Sequence, residues 1–138
     1  MGFRPYRGKV KKVYLPVTPS TALSANSLVE AASGKLTAAD ADEVTADVRG
    51  VLVKAITSTD SDYASDRRVG ILVPVERHVE WLCDATTGTF TAADIGIEYG
   101  ISDSVTIDQA ETTADLFLVT EFVSSTRVIG FLKINGSY

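Results

Sequence analysis

The sequence predicts an all-β protein, a small antiparallel β-barrel or β-sandwich with an extended N-terminal arm, and three observations carry that reading. Short β-branched runs such as "RVGILVPV" recur along the chain, clusters of Gly, Ser, Asp and Thr separate them, and no apolar stripe persists at helical spacing. Eight or nine strands at this spacing fit a barrel or sandwich, where each strand buries one face. The 138 residues suit a single core, and 45% apolar against 22% charged residues is a globular balance. Residues 1–12 read as a basic arm and residues 13–138 as one domain.

The elements follow in order. In "KKVYLPVTP", Val13, Leu15 and Val17 alternate onto one face, and Pro16 and Pro19 confine the strand to an edge or an end. "NSLVEAASGKLTA" reads as a hairpin turning at Ser33-Gly34, with Gly34 supplying a positive φ. "ADADEVTAD" reads as a loop with at most one helical turn, because Thr, Val and Asp are indifferent helix formers. A strand over Arg49–Thr57 leads into a polar loop at Ser58–Asp66. The next strand, "RRVGILVPVE", places Val69, Ile71, Val73 and Val75 on one face and Leu72 on the other; "HVEWLC" sets Val79, Trp81 and Cys83 against His78, Glu80 and Leu82. Four β-length runs, "IGIEYGI", "DSVTID", "DLFLVTEFV" and "RVIGFLKI", complete the chain.

A near-repeat crosses this pattern. Leu28–Asp40 aligns with Leu82–Asp94, matching Leu28 to Leu82, Gly34 to Gly88 and the whole Thr-Ala-Ala-Asp tail. The simplest reading is one Gly-turned hairpin used twice. A Thr/Ala/Gly-rich chain can also repeat a few residues because one turn type favours one composition.

Charge is unevenly placed. The net charge is -5, yet Arg4, Arg7, Lys9, Lys11 and Lys12 crowd the first twelve residues with no acid among them, leaving 8 basic against 18 acidic residues elsewhere. An acidic body repels nucleic acid, whereas a basic arm carrying Phe3, Tyr6 and its cations suits a protein surface of opposite sign. No signal-like segment opens the chain, no apolar run approaches the roughly 20 residues that span a bilayer, and Tyr6 occupies the position where myristoylation needs Ser or Thr.

Catalytic patterns are absent. His78 is the only histidine, and its odd offset from Cys83 puts the two on opposite faces of an extended strand. Phosphate-loop, dinucleotide, nucleophile-elbow and zinc motifs are missing, so no enzyme, cofactor or metal is expected. The loop acids Asp60, Asp62 and Asp66 invite a calcium reading, but Ser65 and Ile71 stand where an EF-hand needs Gly and Glu, and a solvated loop fits better. Trp81 and Tyr99 could form an exposed platform in a small carbohydrate-binding or display module, which is the alternative reading of function.

The order of "LVEAASGKLTAAD", "VRGVLVKAI", "VGILVPV", "VEWLCDATTGTFTAADIGIEYGI" and "STRVIGFLKI" over Tyr14–Ile134 resembles tailed-bacteriophage capsid decoration proteins, also called cement or auxiliary head proteins. The resemblance implies a small β-barrel or sandwich without catalysis that binds the outside of a capsid and reinforces the shell. It further implies the major capsid protein as partner, a homo-oligomer with a trimer favoured, and a place on the virion exterior after synthesis in host cytoplasm. Attachment through Phe3, Arg4, Tyr6, Arg7, Lys9, Lys11 and Lys12 would fit the N-terminal reach that many members have.

Overall fold

The computed structural model describes residues 1–40, 48–135 and 137–138, so most of the expected "ADADEVTAD" loop lies outside the described residues. The described chain is all-β. Its first six strands are β1 (Phe3–Arg7), β2 (Val10–Val17), β3 (Leu28–Ala32), β4 (Lys35–Ala38), β5 (Val48–Leu52) and β6 (Arg67–Pro74). The remaining six are β7 (Glu80–Cys83), β8 (Thr86–Thr87), β9 (Glu98–Asp103), β10 (Thr106–Asp108), β11 (Phe117–Ser124) and β12 (Arg127–Leu132). Strands β2-β4-β3-β5-β6 close into a barrel, and the other seven form a sheet in the order β1-β7-β12-β11-β9-β10-β8.

Period-2 alternation explains how barrel and sheet share a core. In β3 and β5, Val29 and Leu52 point into the barrel, where they pack with Val17, Leu36 and Ile71. Their neighbours Leu28 and Val51 face outward and join Trp81, Phe117, Val119 and Val128 of the seven-stranded sheet in a second cluster. In β6, Val69, Ile71 and Val73 serve the barrel interior while Leu72 packs toward the sheet, as the alternation predicts. Val75 lies beyond the strand and is exposed. The barrel closes at a single pair, Val17 with Leu36, reinforced by Thr18 N donating to Leu36 O at 3.0 Å. Pro16 is tolerated beside this seam because on its β4 side β2 has almost no ladder to disrupt.

The basic N-terminal segment is part of the body. Phe3–Arg7 is the edge strand of the large sheet, paired antiparallel with β7, and Phe3 is fully buried against the Phe117 ring at 6.2 Å. Lys11 and Lys12 sit in β2, which pairs with β6 over its whole length. An arm standing off the barrel is therefore corrected to two built-in strands, because Phe3 and Val10 have apolar sites to fill.

The two copies of the near-repeat fold differently. Ser33 and Gly34, with φ of 51° and 79°, turn a true hairpin between β3 and β4, the geometry of a tight primed turn. In the second copy β7 pairs with β1 and β12, while β8 runs parallel to β10, so no hairpin forms across Gly88. Instead Thr91 caps a 3-10 helix at Ala92–Asp94 in a reciprocal capping box with Asp94. One hairpin used twice is thus corrected: Leu36 and Phe90 are both buried, but strand partners distant in sequence decide the second copy.

Candidate functional site

The side chains with catalytic potential are engaged in structure. His78 is exposed and packs at a tilt against Phe131, ring centroids 5.0 Å apart, whereas Cys83 is buried and donates from Sγ to Ala85 O at 3.2 Å. Burial pushes the Cys83 thiol up to about 12, so it holds its proton and makes a poor nucleophile. Asp94, a buried carboxylate, accepts from Thr91 N at 2.8 Å, from Gln109 Nε2 at 3.2 Å and from the Tyr99 hydroxyl. Burial alone would raise its pKa, but these donors outweigh that cost and hold it below the ordinary aspartate value. Tyr99 is correspondingly pushed up to about 12, by burial first and by Asp94 second. Four polar groups satisfy one another here, which fixes a turn.

The loop acids are equally occupied. Asp60 accepts from Thr57 N at 3.1 Å and Thr57 Oγ1 at 2.9 Å; Arg67 pairs with Asp60 at 3.5 Å and closely with Asp62. Asp66 pairs with Lys35 at 2.8 Å. Among the described residues, no group of three or more His, Cys, Asp or Glu side chains is placed to hold a metal ion. Trp81 and Tyr99 are both core residues, so neither contributes to an exposed aromatic platform. No described helix is long and apolar enough to cross a membrane.

What remains is charge, and its pairing separates two groups of cations. Arg4 Nη2 donates to Asp84 Oδ2 at 2.7 Å, and Arg7 Nη1 to Glu80 Oε1 at 2.9 Å with its guanidinium 5.2 Å from the Tyr6 ring centroid. Both arginines are neutralised locally by β7 and its flank. Phe3 is unavailable to any partner. Lys9, Lys11 and Lys12, by contrast, are exposed and their ammonium groups form no ion pair among the described residues.

The fold adds unpaired cations to these three. On one flank of β2, Lys12 and the exposed Tyr14 meet Lys54 and Arg68 around a groove of about 470 Å³. On the other, Lys11 and Arg77 border a cleft of about 560 Å³ running from Val13 and Leu15 to Tyr138. The antiparallel register assembles the first of these groups: Lys12 pairs with Leu72, Tyr14 with Gly70 and Pro16 with Arg68, whose Nη1 donates to Tyr14 O at 3.2 Å. Lys54, Arg68 and Arg77 escaped sequence reasoning because they lie more than forty residues from the basic segment. The Arg67-Arg68 doublet was visible, and pairing β2 with β6 on paper would have placed it beside Tyr14. These cations make a positively charged surface on a protein whose net charge is -5, and a field of that sign attracts groups of opposite charge.

Comparison with known protein families finds no family model that matches the chain, and comparison with curated proteins finds no match either.

Proposed function

We propose that this chain is a non-enzymatic structural protein of a phage head, which binds the outside of the capsid and reinforces the shell by contacting major capsid protein subunits. The observation that carries this reading is the collection of unpaired positive charge about β2, on a molecule whose net charge is -5. The layout that resembles capsid decoration proteins supplies the partner. Homo-oligomers, with a trimer favoured, and a place on the virion exterior belong to the same proposal. The alternative of a small carbohydrate-binding or display module loses its main support, since Trp81 and Tyr99 are buried.

Removing Met1–Lys12 is a poor test, because it takes away β1, the first part of β2 and the buried Phe3. Charge reversal at exposed positions avoids that. The variant K9E/K11E/K12E is expected to remain folded by circular dichroism and to lose co-sedimentation with purified undecorated shells. Wild-type attachment should weaken as salt rises, since exposed charges are screened beyond about 8 Å at physiological ionic strength. Attachment unchanged by both treatments would rule the cationic face out.

A further inference from the structure

The groove between the outer face of β2–β6 and the start of the β5–β6 connection carries more information than its charge. Its floor is Gly70, where an added Cβ would lie 3.0 Å from Lys12 Cδ and 3.5 Å from Tyr14 Cε1. A side chain there would crowd Lys12 and fill the space beside the Tyr14 ring, so Gly70 keeps open a trough flanked by one cation and one aromatic ring. Val53, itself exposed, donates its N–H to Gly70 O at 3.2 Å and brings Lys54 to the opposite wall. Arg68 stands at the end nearest Pro16.

We infer that this groove is a docking site for an extended acidic peptide segment carried by a protein partner. The inference deepens the functional reading above and rests on it only for the identity of that partner. Charge complementarity supplies the first argument. Four cations line the groove against two carboxylates, Asp60 and Asp62, and both carboxylates are already engaged by Arg67. Lys12, Lys54 and Arg68 are left without an ion pair among the described residues, so their charge faces the groove uncompensated. Chemistry of the walls supplies the second. An exposed Tyr14 ring and the Val53 side chain beside three cations give apolar anchorage together with carboxylate recognition, and Tyr and Arg are favoured interface anchors. Size supplies the third. A trough of about 470 Å³ lies within the range of ligand clefts, about 300–1,000 Å³. A nucleic-acid strand needs a longer basic track than the three unpaired cations of this groove supply.

The test uses the full chain and a fluorescently labelled peptide of alternating Glu and Ala, read by anisotropy at low salt. Saturable binding is expected. In K12E/K54E/R68E it should weaken by about tenfold or more, the combined effect of three exposed ion pairs each worth a few-fold. In R7E/K35E/R127E, which changes the net charge equally at cations that do not line the groove, the loss should stay within about twofold if the site is local. The neutral variant K12Q/K54Q/R68Q repeats the comparison should the reversed one fail to fold. Equal losses in the two reversed variants, absence of saturable binding, or tighter binding of a single-stranded oligonucleotide than of the peptide would each overturn the groove. Peptide binding that maps to the groove in a protein that ignores capsids would keep the groove and discard the capsid as partner.

Discussion

Asp94 and Asp115 are both partly enclosed carboxylates, and their surroundings push them in opposite directions. Donors from Thr91, Gln109 and Tyr99 outweigh burial at Asp94 and lower its pKa. Such a group contributes stability above the ordinary aspartate pKa and loses it as pH falls through the lowered value. Glu111 behaves alike: it is held at about 2 by the Thr113 side chain and by the backbone N–H groups of Ala114 and Thr113. Asp94→Ala should therefore cost about 1–3 kcal/mol in chemical denaturation at neutral pH, the scale for stranding buried hydrogen-bond partners. Wild-type protein should lose stability as pH drops from about 4.5 toward 2. At Asp115, burial raises the pKa, the nearby Glu98 raises it further, and Oδ1 has no hydrogen-bond partner. Lys133, 3.7 Å from Glu98 Oε2, offsets only part of this. Ionised Asp115 thus opposes folding at neutral pH. Asp115→Asn is expected to melt higher than wild type at pH 7, with the gap closing as pH falls through the raised pKa; a lower melting temperature at pH 7 would contradict it.

At the scale of elements, β1 ties the N-terminal segment to the core. Phe3 fills a site lined by Phe117 and the β7 residues, so Phe3→Ala should cost about 3–5 kcal/mol by denaturant titration. Much of this level was legible in the sequence. Alternation of Val69, Ile71 and Val73 against Leu72 gave the orientation of β6, and Ser33-Gly34 marked the β3–β4 turn, because both signals are local. The second copy of the repeat was misleading for a physical reason. Thr37–Asp40 and Thr91–Asp94 share a sequence, but Thr37 is committed to a ladder with Glu30, whereas Thr91 is free to cap a helical turn with Asp94. A Thr three residues before an acid is also a capping-box signature, which the sequence displayed at both places and the fold uses at Thr91. Strand β1 went unread because its pairing with β7 spans most of the chain, and "FRPYR" with its Pro and two Arg looks like an unpaired tail.

For the whole molecule, the barrel and the seven-stranded sheet are joined by shared core residues and by backbone bonds such as Leu28 N to Ser104 O at 2.7 Å and Asn135 N to Val48 O at 2.8 Å. That continuity makes one connected body, with the Lys12–Tyr14–Arg68 groove on its barrel side. The charge asymmetry was visible in the sequence, but its composition was not: folding removes Phe3, neutralises Arg4 and Arg7, and recruits Lys54, Arg68 and Arg77. Those changes depend on contacts between residues far apart in the chain, which a local reading does not reach. Electron cryomicroscopy of shells incubated with the protein reads attachment and orientation together. Ordered density is expected on the outer capsid surface, with the Lys12–Tyr14–Arg68 groove turned toward the shell; bare shells, or bound molecules with that groove turned to solvent, would overturn the capsid-binding role.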